Sequence, residues 1–342
     1  MNALWQNAST LTNIIVGVVG LAILILSSDE AVRRLIGLAD YFHLSTTFMG
    51  MTVVSLATSI PEISSHLTAS VNILTGGMDY QIGSAIVLGA NIGSDVVQQT
   101  LILGLVVFSA GTLYFRRYFL TKSMLPMIIT TVMCIIMGLD GVYSRIDGAI
   151  LFGSFLAYTY YLYVDERKHY RREDNIQQAE KVDAPETGKQ AVVWGLVAVG
   201  CMVLTVTAAQ IVLGITELVV VRTGVGGSLI GVLTLGIASA LPELSAAVSG
   251  IRKKEHGISL GTLIGSNITN PLVAIGGGAI VSTYWVPRPL VAWDLPWETL
   301  TGLLLWALLW FRKGKLGRGG AIYLMVLYFV YIGCRALFFA VD

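Results

Sequence analysis

The stretch "SLATSIPEISS", residues 55–65, places Pro61 and Glu62 side by side within a run of the chain that is otherwise apolar enough to cross a membrane. Because proline has no amide hydrogen, the carbonyl of Ala57, four residues earlier, would lose its helical hydrogen bond. A bare carbonyl is costly in lipid but is tolerated where it lines a hydrated cavity, and there it can bind a cation. The stretch therefore predicts a broken membrane helix that carries a carboxylate at the break.

The composition of the 342-residue chain is that of an integral membrane protein. Hydrophobic residues make up 55% of it and charged residues only 13%, whereas about a quarter of the residues in soluble proteins are charged. Apolar runs long enough to cross a bilayer, which takes about 20 residues, predict an all-α fold of ten transmembrane helices. The runs lie at residues 10–28, 47–74, 81–110, 123–140, 146–164, 191–213, 227–250, 257–285, 297–311 and 320–340.

Basic residues are concentrated in alternate predicted loops. The loops between helices 1–2, 3–4, 5–6, 7–8 and 9–10 hold 18 of the 22 Lys and Arg residues, and the other loops hold only Arg145, Arg222 and Arg288. Since cytoplasmic loops carry the excess of positive charge, we expect a plasma (cell inner) membrane protein with both termini extracellular. Residues 1–10 contain no Lys or Arg, so we expect no cleavable signal peptide and a retained first helix.

A polar stretch divides the chain into two halves. Residues 165–190 contain both charge signs together with a proline and a glycine, which is typical of a solvated linker. We interpret them as a cytoplasmic linker between a first five-helix unit, residues 1–164, and a second one, residues 191–342.

The two halves contain an internal repeat. "GMTVVSLATSIPEIS" (50–64) aligns with "GVLTLGIASALPELS" (231–245), and "GANIGSDVVQQ" (89–99) aligns with "GTLIGSNITNP" (261–271). Five helices is an odd number, so the second half must enter the membrane in the opposite orientation, and the repeat is inverted. Inverted repeats with interrupted helices at corresponding positions are typical of secondary transporters, which bind their substrate near the bilayer midplane.

The repeated segments supply the ligands of a hard cation. Glu62 and Glu243 place two carboxylates at corresponding positions, and Thr58, Ser59 and Ser239 add hydroxyl oxygens. Carboxylate, carbonyl and hydroxyl oxygens form the ligand set that calcium prefers. The pairs Gly93-Ser94 and Gly265-Ser266 add small residues that allow close helix packing, whether or not their hydroxyls touch an ion.

The motifs "ATSIPE" and "ASALPE", each followed by a helix with "GS", resemble the two alpha repeats of the cation/calcium exchanger superfamily, most closely its sodium/calcium branch. The resemblance implies a ten-helix inverted-repeat fold that moves Ca²⁺ against Na⁺ by alternating access. It implies the metal ligands Glu62, Glu243, Thr58, Ser59, Ser239, Ser94, Ser266, Gln98 and Asn270, with Asp95, His66, Ala57, Ser55 and Gly236 as possible contributors.

The chain departs from the sodium exchangers at two places: Ser239-Ala240 stands where Thr-Ser is usual, and Gln98 stands where Asn is usual. Asn270 stands where the potassium-dependent branch has Asp. Lost oxygen ligands weaken a sodium site more readily than a calcium site that keeps both glutamates. Sodium coupling is therefore the open point, and potassium cotransport is not expected.

Three further polar residues leave alternatives open. His66 follows Glu62 by one turn, on the same helix face, and either supports a proton-coupled step or packs between helices. Asp95 either forms hydrogen bonds or contacts the ion. Arg335, inside the last predicted helix, either pairs with a carboxylate or extends toward the membrane surface.

The sequence predicts an antiporter, either sodium/calcium or proton/calcium. The proton/calcium branch has Gly-Asn before its glutamate, which "TSIPE" does not match. The chain contains no nucleophile-base arrangement and no phosphate-binding loop, so we expect no enzymatic activity and no cofactor. The expected partners are the lipid bilayer and inorganic cations, without nucleic acid or an obligate protein partner.

Overall fold

The computed structural model describes residues 10–41, 52, 55–115, 117–169, 184–252 and 256–342. The α-helices are α1 Thr10–Tyr41, α2 Ser55–Thr58, α3 Ile60–Leu74, α4 Tyr80–Val97, α5 Leu103–Ala110, α6 Arg117–Phe119, α7 Leu125–Gly138, α8 Arg145–His169, α9 Gly188–Thr223, α10 Gly227–Gly231, α11 Ile237–Ser239, α12 Leu241–Arg252, α13 His256–Thr269, α14 Gly276–Ser282, α15 Leu295–Phe311 and α16 Arg318–Phe338. The strands are β1 Thr112–Tyr114, β2 Val142–Tyr143, β3 Tyr284–Trp285 and β4 Lys315–Gly317.

Seven helices among the described residues are long and apolar enough to cross a membrane. They are Leu11–Ala31, Tyr80–Ala110, Arg117–Gly138, Gly188–Thr223, Gly227–Val248, Ser259–Ser282 and Arg318–Phe338. The other three predicted runs contain α3, which is short and follows a break, α8, which ends in charged residues, and α15, which has 17 residues. The protein is therefore a predominantly helical membrane protein.

Two predicted features differ from the structure or extend beyond the described residues. Helix α8 runs to His169 and helix α9 begins at Gly188, so helical residues occupy both ends of the predicted linker 165–190. Residues 170–183 of that linker lie outside the described residues, as does Gly50 of the repeat. The short strands were not part of the all-α prediction.

Several long helices contain a π-helical turn, in which each bond spans one residue more than in an α-helix. These turns are Gln98–Ile102, Leu120–Met124, Val232–Gly236, Asn270–Ile275 and Leu290–Asp294. Two of them begin four residues after the serine of a Gly-Ser motif, at Gln98 and Asn270. Such turns disturb the regular backbone bonding and often mark functional sites.

The helices with the Gly-Ser motifs form the core of the molecule. In the most apolar part of Tyr80–Ala110, 78% of the residues are buried, and in that of Ser259–Ser282 the share is 83%. In Leu11–Ala31 it is only 24%, and α1 packs mainly against α9 at the edge of the protein. The repeated motifs thus lie in the interior, and α1 lies at the periphery.

Glycine allows α4 to cross α10 with the two backbones in contact. A Cβ atom on Gly89 would lie 2.2 Å from the carbonyl oxygen of Ser228, and one on Gly231 would lie 2.3 Å from that of Ile86. A Cβ on Gly93 would lie 2.8 Å from Val232 Cα. The packing role that the sequence predicts for Gly93 is therefore confirmed.

Two short antiparallel ribbons join distant parts of the sequence. β1 pairs with β4, with Leu113 opposite Leu316, and β2 pairs with β3, with Tyr143 opposite Tyr284. Because α7 separates β1 from β2 and α15 separates β3 from β4, the two ribbons lie at opposite ends of these helices. Each ribbon ties a connection of the first half to one of the second.

The close crossing of α4 and α10 predicts that even one methyl group on Gly89 is harmful. Gly89→Ala should lower the thermal unfolding midpoint of the detergent-solubilised protein, because overpacking costs roughly 1–3 kcal/mol. Gly200→Ala is the matched control, since a Cβ atom there meets nothing within 4 Å. An equal midpoint for the two variants, measured by fluorescence-detected size-exclusion chromatography after heating, would contradict the crossing.

Candidate functional site

Glu62 and Glu243 each lie in the first turn of a helix that restarts after a break. Helix α3 begins at Ile60, after the turn at Ser59, and helix α12 begins at Leu241. The two glutamates are buried, with 3% and 0% of their surface exposed. The partial positive charge of a helix N-terminus favours a carboxylate at that place. The predicted breaks are thus confirmed, and both carboxylates lie inside the protein.

The Glu62 carboxylate accepts a hydrogen bond from the first half of the chain and lies beside a serine of the second half. Ser94 Oγ donates to Glu62 Oε1 at 2.8 Å, and Gln98 Nε2 donates to Ser94 Oγ at 3.0 Å. Ser239, from the second half, also lies beside this carboxylate. The structure therefore brings these four predicted site residues together.

Glu243 has the corresponding surroundings with the halves exchanged. Thr58, from the first half, and Ser266, from the second, both lie beside its carboxylate. Their hydroxyls lie 3.2 Å apart and share a hydrogen bond with each other, and neither oxygen of Glu243 accepts a hydrogen bond within the described part of the chain. Glu62 lies close enough to Glu243 for the two like charges to repel each other.

Several buried oxygens of this site have no hydrogen-bond donor among the described residues. They are Glu62 Oε2, both carboxylate oxygens of Glu243, the side-chain oxygens of Gln98 and Asn270, and Ser59 Oγ. Buried polar atoms are nearly always satisfied, and an exception calls for a water or an ion. Carboxylate and amide oxygens without donors are the ligands of a hard cation. This set of oxygen ligands therefore suits calcium or sodium.

Asp95 forms hydrogen bonds across the two core helices. Asn270 Nδ2 donates to Asp95 Oδ1 at 2.6 Å, and Asn267 Nδ2 donates to the backbone oxygen of Asp95 at 3.2 Å. Of the two alternatives for Asp95, the geometry favours the hydrogen-bonding one. Because the nitrogen of the Asn270 amide is used in this bond, its oxygen is left for the site.

The remaining candidates near the first break lie at helix contacts. Ser55 Oγ lies 2.7 Å from Thr269 Oγ1, within hydrogen-bonding distance, and Ala57 is buried. A Cβ atom on Gly236 would lie 2.8 Å from the carbonyl oxygen of Ala90, so glycine is needed there for packing. Carbonyl contacts of Ser55, Ala57 and Gly236 with an ion stay predictions.

His66 lies on helix α3 and packs against Tyr284 of strand β3. Its Nδ1 lies 3.1 Å from the hydroxyl of Tyr284, and the two rings meet edge to face with centroids 5.4 Å apart. The same hydroxyl lies 2.7 Å from Ser70 Oγ. Because a Cβ atom on Gly278 would lie 2.0 Å from this hydroxyl, the contact also requires a glycine. The packing alternative for His66 is thus favoured.

Two further buried carboxylates, Asp294 and Glu298, were not among the predicted site residues. Arg335 Nε donates to Asp294 Oδ2 at 2.9 Å, and Tyr331 donates to Asp294 Oδ1 at 2.6 Å. Thr131 Oγ1 donates to Glu298 Oε1 at 2.9 Å. Arg335 therefore pairs with a carboxylate, as one alternative predicted. Two acidic residues in a tryptophan-rich apolar run were the available signal.

The Asp294–Arg335 pair predicts a large effect of removing one partner. Both side chains are fully buried, so Arg335→Gln should destabilise the protein by about 3–5 kcal/mol by leaving a buried charge unpaired. The double variant Asp294→Asn/Arg335→Gln should lose less, and Arg288→Gln, at an exposed position, should lose little. Thermal unfolding in detergent measures the series. A double variant less stable than Arg335→Gln would contradict the pairing.

Both halves of the chain are similar to known proteins. The model of the family described as "Sodium/calcium exchanger protein" matches residues 12–164 and 192–336. CaxA of Alkalimonas amylolytica is 28% identical over 330 residues, which are 94% of this chain and 97% of that protein. The sodium/calcium exchanger MaX1 of Methanosarcina acetivorans is 23% identical over 297 residues, which are 77% of this chain and 81% of that protein.

The fold is also similar to a solved structure. The sodium-calcium exchanger NCX_Mj, soaked with 2.5 mM Na⁺ and 0.1 mM Ca²⁺, superposes with a TM-score of 0.63 at 22% identity, over 95% of this chain and 99% of that one. Since the family model covers well over half of the sequence, this chain belongs to the sodium/calcium exchanger protein family.

Proposed function

We propose that this protein exchanges Ca²⁺ for Na⁺ across the membrane by alternating access. The observation that carries the proposal is the set of buried carboxylate and amide oxygens without donors around Glu62 and Glu243. A transported cation would be the missing partner of these oxygens. Thr58, Ser94, Ser239 and Ser266 would complete its coordination.

Coupling follows from competition for the same charge. One Ca²⁺, or several Na⁺ that share the same oxygens, neutralises Glu62 and Glu243, which are both buried. A site with two bare carboxylates would bear a large desolvation cost whenever a hydrophobic gate closed over it. Only the neutralised site therefore changes its access cheaply, and this requirement links the two ion fluxes.

Helices α1 and α9 are the elements we assign to the moving gate. They pack against each other along their length, and Ser27 Oγ and Thr205 Oγ1 share a hydrogen bond of 2.8 Å within that contact. A peripheral pair with mainly apolar contacts to the core can slide without breaking many polar interactions.

We further propose ten membrane crossings, arranged as two five-helix halves of opposite orientation. Exchanging the halves carries β1 onto β3 and β2 onto β4, and therefore the β1–β4 ribbon onto the β2–β3 ribbon at the opposite end. A two-fold axis in the membrane plane has this effect. The exchanged hydroxyl partners of Glu62 and Glu243 support the same symmetry.

The proposed orientation places both termini outside the cell. The β1–β4 ribbon brings together two connections that are rich in Lys and Arg, and cytoplasmic connections carry most of the positive charge. This end of the molecule is therefore assigned to the cytoplasm.

A proton/calcium antiporter is the second candidate. Asp95 and Glu298 are buried and accept hydrogen bonds from Asn270 and Thr131, and Arg335 is the one buried Lys or Arg side chain among the described residues. A buried carboxylate without a cationic partner can instead take up a proton. These two groups favour a role of protons beside that of the metal ions.

One prediction of this proposal concerns the ion whose gradient drives Ca²⁺ transport. Purified protein in proteoliposomes should take up Ca²⁺ when Na⁺ is higher inside, and Glu62→Gln and Glu243→Gln should each abolish the uptake by removing a ligand charge. Glu30→Gln is the matched control, because Glu30 is ion-paired with Arg33 and Arg34 on helix α1.

A proton gradient of the same direction, imposed without Na⁺, separates the two candidates. Uptake driven by protons alone would replace the sodium proposal with proton/calcium exchange. Absence of Ca²⁺ flux under either gradient would contradict the calcium assignment.

Another prediction concerns Ala240, which stands where the sodium exchangers usually have a serine hydroxyl. Ala240 is fully buried directly after Ser239, so Ala240→Ser should add an oxygen near the site and lower the Na⁺ concentration for half-maximal exchange roughly fivefold, as expected for about 1 kcal/mol. Ala247→Ser, at a buried position further along α12, should leave it unchanged. Sodium titration of Ca²⁺ flux measures both, and equal titrations would contradict a role of position 240.

A further inference from the structure

The β1–β4 ribbon gathers basic residues from two distant parts of the sequence. Tyr114 lies opposite Lys315 in the ribbon, and the amide of Phe115 donates to the carbonyl oxygen of Gly314 at 2.8 Å. We call the basic residues beside this ribbon the ribbon patch. Its members are Arg117, Lys122, Arg312, Lys313, Lys315 and Arg318.

No carboxylate of the described residues neutralises the ribbon patch. Residues 111–124 and 311–320 contain no Asp or Glu, and none of the six patch residues takes part in the ion pairs found in the described part of the chain, such as those of Arg33, Arg34 and Arg335. Arg33 and Arg34, in contrast, pair with Asp29 and Glu30 on the same helix. The lack of an acidic partner is therefore a property of the ribbon patch and not of every basic residue.

Aromatic rings hold three of these cations in place. Arg117 Cζ lies 5.3 Å from the centroid of the Trp310 ring, and Arg318 Cζ lies 5.7 Å from that of Phe108. Lys122 donates a hydrogen bond to the hydroxyl of Tyr161 on α8, and its Nζ lies 4.7 Å from the centroid of that ring. Cation–π contacts orient a guanidinium or ammonium group without neutralising its charge. The patch is thus ordered by the protein while its positive charge stays available.

Exposed aromatic side chains place the ribbon patch at the level of the lipid headgroups. Phe311 is 83% exposed and Tyr114 is 67% exposed, and Trp306 stacks on Trp310 with ring centroids 5.3 Å apart. Aromatic side chains collect at the boundary between hydrocarbon and water. The unpaired cations therefore lie where the phosphates of a bilayer are.

We propose that the ribbon patch is a binding site for the headgroup phosphate of an anionic phospholipid in the adjoining leaflet. The occupant follows from charge complementarity and from the exposed aromatic side chains next to the patch, which face the lipid that carries the phosphate. Guanidinium groups bind phosphate oxygens in pairs of parallel hydrogen bonds, and Arg117 and Arg318 can bind in this way. The site does not depend on which ions the protein exchanges.

The test compares lipid-induced stabilisation of purified protein in detergent. Phosphatidylglycerol should raise the thermal unfolding midpoint of the wild type more than phosphatidylcholine does. In Arg117→Gln/Lys315→Gln, which removes one charge from each side of the ribbon, the phosphatidylglycerol concentration for half of the shift should rise tenfold or more, since each basic residue contributes several-fold to the attraction of anionic lipid. The matched control Arg33→Gln/Arg34→Gln removes two charges that are already paired and should keep the wild-type concentration.

Three outcomes would overturn the proposal. One is an equal rise in both double variants, which would indicate a general effect of net charge. Another is an equal shift by phosphatidylcholine. The last is a full shift by glycerol 3-phosphate alone, which would make a soluble phosphate the ligand. If the double variant does not fold, Lys315→Gln, at an exposed position, provides the same comparison with an expected rise of severalfold.

Discussion

Two like charges buried at the breaks of two helices form the constraint on which the rest of the structure depends. Glu62 and Glu243 lie at helix N-termini, which offer partial positive charge but not a full compensation. The serine and threonine hydroxyls around them come from four different helical segments, so those segments must meet closely. The glycines of α4 and α10 make that approach possible, because a Cβ atom on Gly89 would overlap the opposite backbone.

The buried carboxylates of the protein differ in whether a basic side chain compensates their charge. Asp294 has a permanent cation in Arg335, held at 2.9 Å, and this part of the molecule is therefore a fixed structural element. Glu62 and Glu243 have no such partner among the described residues, and the cation that we propose for them comes from solution. The same electrostatic cost is met by a fixed ion pair at Asp294 and, in the proposed mechanism, by an exchangeable ion at the two glutamates.

Much of the site followed from the sequence because its signals are local. The Pro-Glu pairs fix where the helices break, and the resemblance of the repeated motifs to those of the exchangers implies Ser94 and Ser266 as ligands beside the two glutamates. Local signals could not decide between the alternatives for Asp95, His66 and Arg335. The partners of these residues, which are Asn270, Tyr284 and Asp294, lie far away in the sequence. Asp294 and Glu298 were missed for the same reason. The two ribbons were missed because strands of two or three residues leave no periodic pattern.

The pairing of β1 with β4 and of β2 with β3 also has a consequence for the order of folding. Each ribbon needs one strand from the first half and one from the second, so neither half can complete its own connections while it is alone. Such distant contacts form late, since the chain between them must first be closed into a loop. During synthesis, β2 therefore stays unpaired until β3 has been made, and β1 stays unpaired until β4 has been made.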